Sequence, residues 1–265
     1  MLLLSALLYT IPLLLIVFIL LVSIFLFYLF GVKIGDYKKL HNPDAKAKGI
    51  GPLEGALLGL LSLLLSFTLS MSASRYDSRR TIIVQEANDI GTVISLADLY
   101  NDSIRTAFRK DMQQYVTTRI AYYDATTDFA INQELSNAAL TAARIWTKAV
   151  MVSKKQPEYS RDMLMLPAIS TMTDVVTRRD AGRLATVPGL IIYLLISLTI
   201  LGSFIVGYSK KESKNDWIIL TLYALMTVMT ICTILDLDQP RSGLIQTSSP
   251  HEKIIELKNL FLKDK

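Results

Sequence analysis

One stretch, Gly51 to Asp89, narrows the folds open to this chain more than any other. It reads GPLEGALLGLLSLLLSFTLS and then MSASRYDSRRTIIVQEAND, so its first half suits a bilayer and its second half suits water. No proline follows Pro52, and the internal glycines Gly55 and Gly59 lie near the start, so nothing in it breaks a helix. The stretch predicts one continuous helix that crosses a membrane and runs on beyond it. Along the membrane part, Gly55, Gly59, Ser62, Ser66 and Ser70 recur at spacings of four, three, four and four, which puts them on one helical face. A small, faintly polar face of this kind serves one of two purposes. It lets another helix pack closely, or it lines a narrow wet passage.

Composition agrees with a membrane setting. Of 265 residues, 51% are hydrophobic and 19% charged, and the mean hydropathy is +0.38, above what soluble domains carry. The net charge is only +5, and the basic residues flank apolar segments, which marks membrane edges rather than a nucleic-acid surface. Cys232 is the one cysteine. It excludes an intrachain disulfide and a cysteine-based zinc site, and it reads as a small buried hydrophobe.

Four apolar segments are long enough to span a bilayer. Segment one has its core at Ile11 to Phe30, starting near Pro12 with Met1 to Thr10 in the headgroup layer. Segment two begins at Gly51, with Pro52 as a first helical residue. Segment three is Pro188 to Tyr208 and segment four Trp217 to Leu235, with Tyr208, Trp217 and Tyr223 as interface anchors. Residues 1–73 thus hold the first two spans, 74–187 a body outside the membrane and continuous with segment two, 188–235 the last two spans, and 236–265 a tail. Gly31 to Ile50 reads as a polar loop.

In the body, apolar positions recur at helical intervals: Ile104, Phe108, Met112, Tyr115 and, in the same register, Arg119; then Leu135, Ala138, Ala142, Ile145, Ala149 and Val152; then Met165, Ile169, Met172 and Val176. They predict three or four amphipathic helices, with breaks near Asn101, at Thr126 to Phe129 and at Gln156 to Pro157. Asn101 to Ser103 offers N-cap residues, Pro157 can open the last helix, and Pro167 should kink or interrupt it. With few large residues between Asn132 and Val150, the body is expected to bury its core only as a bundle or against copies of itself. The tail holds a short amphipathic stretch, Ile254 to Leu262. The fold class is therefore an all-α membrane protein with four transmembrane helices and a helical extramembrane body between the second and third.

The residues offer no catalytic constellation. His41 and His251 read as exposed loop residues without partners at ligand spacing, and no phosphate loop, nucleophile elbow or metalloprotease helix occurs. No ionisable side chain lies well inside a span, Glu54 standing at an entrance. The chain is read as no enzyme, with no cofactor and no metal site. Asp236 and Asp238 fall short of the oxygen count calcium needs and suit a turn before Pro240.

Two basic clusters remain: Arg75, Arg79 and Arg80 leaving segment two, and Arg178, Arg179 and Arg183 entering segment three. In a ring of subunits they would form positive collars that concentrate anions; taken singly, each pairs with a neighbouring acid or a lipid headgroup. Glu86, on the helix of Arg79, reads as an inter-helix ion pair. Charge does not fix orientation. Eight lysines in the two short loops (Lys33, Lys38, Lys39, Lys46, Lys48, Lys210, Lys211 and Lys214) oppose seven arginines (Arg75, Arg79, Arg80, Arg178, Arg179, Arg183 and Arg241) on the other side.

GPLEGALLGLLSLLLSFTLSMSASRYDSRRTIIVQEANDIGT, TDVVTRRDAGRLATVP before segment three, and ILDLDQPRSGLIQ after segment four resemble a bacterial family of membrane proteins labelled bestrophin-like. The resemblance spans nearly the whole chain. It implies a pentameric anion channel with four spans per subunit, a helical intracellular body and a pore lined by segment two. Gly55, Gly59, Ser62, Ser66, Phe67 and Ser70 then become candidate pore-lining residues, and Arg75, Arg79, Arg80, Arg178, Arg179 and Arg183 candidate anion-attracting residues. The partners implied are the lipid bilayer, small anions and further copies of the chain, with no nucleic acid. The place implied is the bacterial inner membrane, with the body cytoplasmic. Two departures stand out: the family's neck of large apolar side chains is replaced here by Ser and Gly, and its acidic calcium clasp by Asp236 and Asp238 alone. A membrane-anchored scaffold or sensor without transport is the alternative reading.

Overall fold

The structure is a computed structural model that describes residues 13–41, 51–155, 157–209, 217–239, 245 and 248–264. Met1 to Thr10, Pro12, Lys46, Lys48, Lys210, Lys211, Lys214 and Arg241, invoked above, lie outside them. Helices make up the fold: α1 (Leu13–His41), α2 (Gly51–Leu96), α3 (Asp102–Asp124), α4 (Asp128–Lys155), α5 (Tyr159–Leu184), α6 (Gly189–Tyr208), α7 (Trp217–Leu237) and α8 (Ser248–Glu256), with 3₁₀ turns at Ala97–Leu99 and Leu257–Asp264. Among the described residues there is no strand. Among the described residues four helices are long and apolar enough to cross a membrane. The chain divides into two compact units, and α2 contributes to both.

The first unit comprises residues 1–76 and 186–245. Its α1 packs on α6 and α7 around a core that includes Ile24, Leu61, Leu195, Ala224 and Ile231. The approach of α1 to α6 is close because glycines stand at the crossing. A Cβ at Gly31 would overlap the Phe204 carbonyl oxygen, one at Gly207 the Tyr28 carbonyl oxygen, and one at Gly35 would come 2.8 Å from the Tyr208 oxygen. Ser203 Oγ donates to the Ile24 carbonyl at 2.5 Å across the same seam. This is small-residue helix packing. It corrects the reading of Gly31 as the start of a loop: α1 continues to His41, since the contact made at Gly31 and Gly35 outweighs the roughly 1 kcal/mol that glycine costs inside a helix.

The second unit comprises residues 77–185 and 246–265. Asn101 caps α3, its side chain accepting from Ile104 N–H at 3.1 Å. Helix α5 starts at Tyr159, two residues after Pro157, and runs through Pro167 uninterrupted. The unit buries a core of its own, centred on Phe108, Met112, Ile145, Met165, Ile169 and Met172. The core forms as a bundle within one chain, the first of the two ways expected for a body with so few large residues in α4. Helices α2, α3 and α5 supply the bulk, while Ala138, Ala142 and Ala149 of α4, all buried, let its backbone come close. Both histidines lie on helices rather than loops, and His251 of α8 is buried.

Candidate functional site

Helix α2 presents two unlike faces. Leu61, Leu65, Thr68 and Ser72 are buried against the rest of the chain. Gly55, Gly59, Ser62, Ser66, Phe67 and Ser70 are all exposed, and a Cβ built on Gly55 or Gly59 meets nothing within 4 Å. Close packing inside the chain therefore belongs to Gly31 and Gly207. The stripe on α2 is left open to whatever surrounds the chain.

The arginines separate into two sorts. Arg75 Nη1 stands 3.9 Å from Asp238 Oδ1, and buried Arg79 donates from Nη1 to the Ala185 carbonyl at 3.4 Å. Arg179 is buried and donates to Glu86 Oε2 at 2.5 Å. Arg183 donates to Asp180 at 2.9 Å and lies 3.6 Å from Asp128. Arg80 and Arg178 are exposed. Arg75 lies nine residues beyond Ser66, about two and a half turns on, and so points away from the stripe. Exposed Asp77 shares the side of Arg80.

In the second unit Glu86 of α2 is fully buried and binds two guanidiniums, Arg119 of α3 through Nε and Arg179 of α5. Both guanidiniums sit over the Tyr122 ring, at 4.4 and 5.2 Å, a cation–π contact. Burial by itself would raise the Glu86 carboxyl, but Arg119 and then Arg179 outweigh it and hold the group below its ordinary 4.5. His251 stacks on Tyr123 with ring centroids 3.8 Å apart. Burial first, and Arg179 next, push its imidazole down from 6.5 to about 4, against the opposite pull of Asp124 and Glu86.

These shifts share one sign in acid. A base whose folded value is depressed is charged in the unfolded chain before it is charged in the folded one, so stability falls as pH drops from 6.5 to about 4. The full effect is up to ~3 kcal/mol. Below 4.5 the depressed Glu86 carboxylate adds its own loss as it is protonated. Thermal melts between pH 7 and pH 4 should show this decline, and His251→Phe, which keeps the stack on Tyr123, should flatten the part above the carboxylate range. An unchanged slope would show that His251 does not carry it.

At the end of α7, Asp238 Oδ2 accepts the Val187 N–H at 2.6 Å and Asp236 Oδ2 the Ile245 N–H at 2.9 Å. At the other end of the unit, Ser209 Oγ donates to Glu54 Oε2 at 2.7 Å. Among the described residues no group of three or more His, Cys, Asp or Glu is placed to hold a metal ion. The ion pair expected of Glu86 is present, and its partner Arg119 is marked in the sequence only by standing in the register of Phe108, Met112 and Tyr115.

A family model described as a bestrophin-like domain matches residues 50–250. The chain belongs to the bestrophin-like family. Two crystal structures of a bacterial bestrophin homologue from Klebsiella pneumoniae resemble this bestrophin-like chain closely in fold. The one solved by Zn-SAD phasing has 11% identity and a TM-score of 0.68, covering 92% of this chain and 98% of the other. A point variant has 9% identity and a TM-score of 0.67, covering 91% and 99%. At such identity the likeness is one of fold. No curated protein matches the bestrophin-like sequence.

Proposed function

We propose that several copies of this bestrophin-like chain, five by analogy with the resemblance described above, surround a pore for small anions in the bacterial inner membrane. Residues 1–73 and 188–235 form its membrane part, residues 74–187 a cytoplasmic body and residues 236–265 the tail. The pore is lined by Gly55, Gly59, Ser62, Ser66, Phe67 and Ser70. The observation that carries this reading is the open stripe on α2: six candidate residues, all exposed, on a helix whose opposite face is buried. Hydroxyls on such a face can replace part of an ion's hydration shell.

Among the six arginines, Arg80 is best placed to attract anions, since it is exposed on the helix that carries the stripe. Asp77 tempers it. Arg79 and Arg179 are buried and serve the chain's own packing, and Arg75 and Arg183 lie against carboxylates.

Purified protein in liposomes should carry chloride down a gradient. Ser66→Leu should abolish the flux by narrowing and drying the passage, and Arg80→Glu, which sets a second exposed carboxylate on the side of Asp77, should turn the preference toward cations. Chloride flux undiminished by Ser66→Leu would place the pore elsewhere.

A further inference from the structure

The core of the second unit holds more buried hydrogen-bond donors than acceptors. Arg119 is wholly buried; its Nε is engaged by Glu86, while Nη1 and Nη2 have no hydrogen-bond partner. Tyr115, one turn earlier on the same face of α3, is 1% exposed, and its hydroxyl has none either. Nor has either ring nitrogen of His251, at 3% exposure beside Tyr123. Both Glu86 oxygens are taken, one by each arginine. Native interiors seldom leave such groups unmatched, because each costs ~1–3 kcal/mol.

Tyr122 does not relieve the excess. Its ring covers the planes of the two guanidiniums, whereas N–H hydrogens lie in those planes and only donate. Charge points the same way as hydrogen bonding. One carboxylate set against two guanidiniums leaves a single positive charge away from water. A water molecule could give its hydrogens to the Tyr115 oxygen or the unprotonated nitrogen of His251, but it would leave the positive charge uncancelled. A monovalent anion brings acceptors alone and cancels the charge. Residues this buried leave no place for a bulky or multiply charged one, which would also have to shed more hydration.

We propose that this cluster is an internal site for one small monovalent anion of the halide class, held by the Nη edge of Arg119 and the Tyr115 hydroxyl, with the His251 ring as a further donor beside it. The site lies in the body and does not depend on conduction.

The test uses the full chain in detergent. Thermal unfolding is followed as sodium bromide replaces sodium gluconate at constant ionic strength, and the midpoint should rise with bromide and saturate. Tyr115→Phe deletes one hydroxyl. It should raise the half-saturating bromide concentration about tenfold, yet in gluconate be as stable as the parent or more so, since it removes a buried group without a partner. Ser66→Leu should keep the full bromide response, which separates this site from the pore. A parent protein indifferent to bromide, or a Tyr115→Phe protein with the parent's bromide response, would overturn the proposal. Bromide-soaked crystals of the parent give an answer free of any variant: an anomalous peak in contact with Arg119 Nη supports the site, and its absence there refutes it.

Discussion

Glu86→Gln should lower the stability of the body by about 3–5 kcal/mol, because it removes the carboxylate that both buried guanidiniums bind. Arg119 is fully buried and Arg179 nearly so, so neither can turn to water when the partner charge is gone. The neighbouring Arg178 is exposed, and Arg178→Gln should stay within about 0.5 kcal/mol of the parent. Thermal unfolding, or proteolysis rates at cut sites in α3 to α5, would measure both. Replacing all three charges by apolar residues, Glu86→Leu with Arg119→Met and Arg179→Met, should recover much of the loss, since the cost lies in an unpaired buried charge rather than in the absence of the pair. Equal stability of Glu86→Gln and the parent would mean that the arginines reach solvent.

Gly207→Ala should disrupt the membrane unit, and Gly59→Ala should not. The methyl added at Gly207 falls on the Tyr28 carbonyl oxygen, and backbone cannot swing aside as a side chain can, so α1 and α6 must separate. Overpacking of this kind costs ~1–3 kcal/mol, and the Ser203 bond to Ile24 on the same seam would be weakened with it. At Gly59 the methyl meets nothing, and alanine in place of glycine gains about 1 kcal/mol of helix propensity. The pair can be compared by midpoint of aggregation in detergent. Should Gly59→Ala instead break a purified oligomer, the stripe on α2 would be packed against another copy, and the pore reading would have to yield to close helix packing.

Much of the fold was legible because the patterns are long. Four apolar runs give four spanning helices, and the rows through Phe108, Ile145 and Ile169 give the core faces of α3, α4 and α5. What sequence could not supply was pairing between distant positions. Gly31 and Gly207 look like unrelated glycines until the helices that carry them cross, and Asp238, in a turn as its sequence suggests, gives no sign that its carboxylate takes the Val187 N–H. The stripe on α2 was legible as a stripe, and the structure adds that the chain itself does not cover it. Arg79 and Arg80 show the limit most simply. Sequence groups them into one cluster, while a helix turns consecutive side chains about 100° apart and buries one and exposes the other.

Glu86 also has a history within each chain as it is made. Its first partner, Arg119, emerges from the ribosome 33 residues later, and its second, Arg179, 93 residues later, just ahead of the third span. For most of the body's synthesis the carboxylate has one cation where the finished core demands two. The body therefore cannot close in its final form until α5 is complete, by which time the next hydrophobic segment is ready to enter the bilayer. Completion waits longer still, since Phe261 of the same core and buried His251 follow the fourth span.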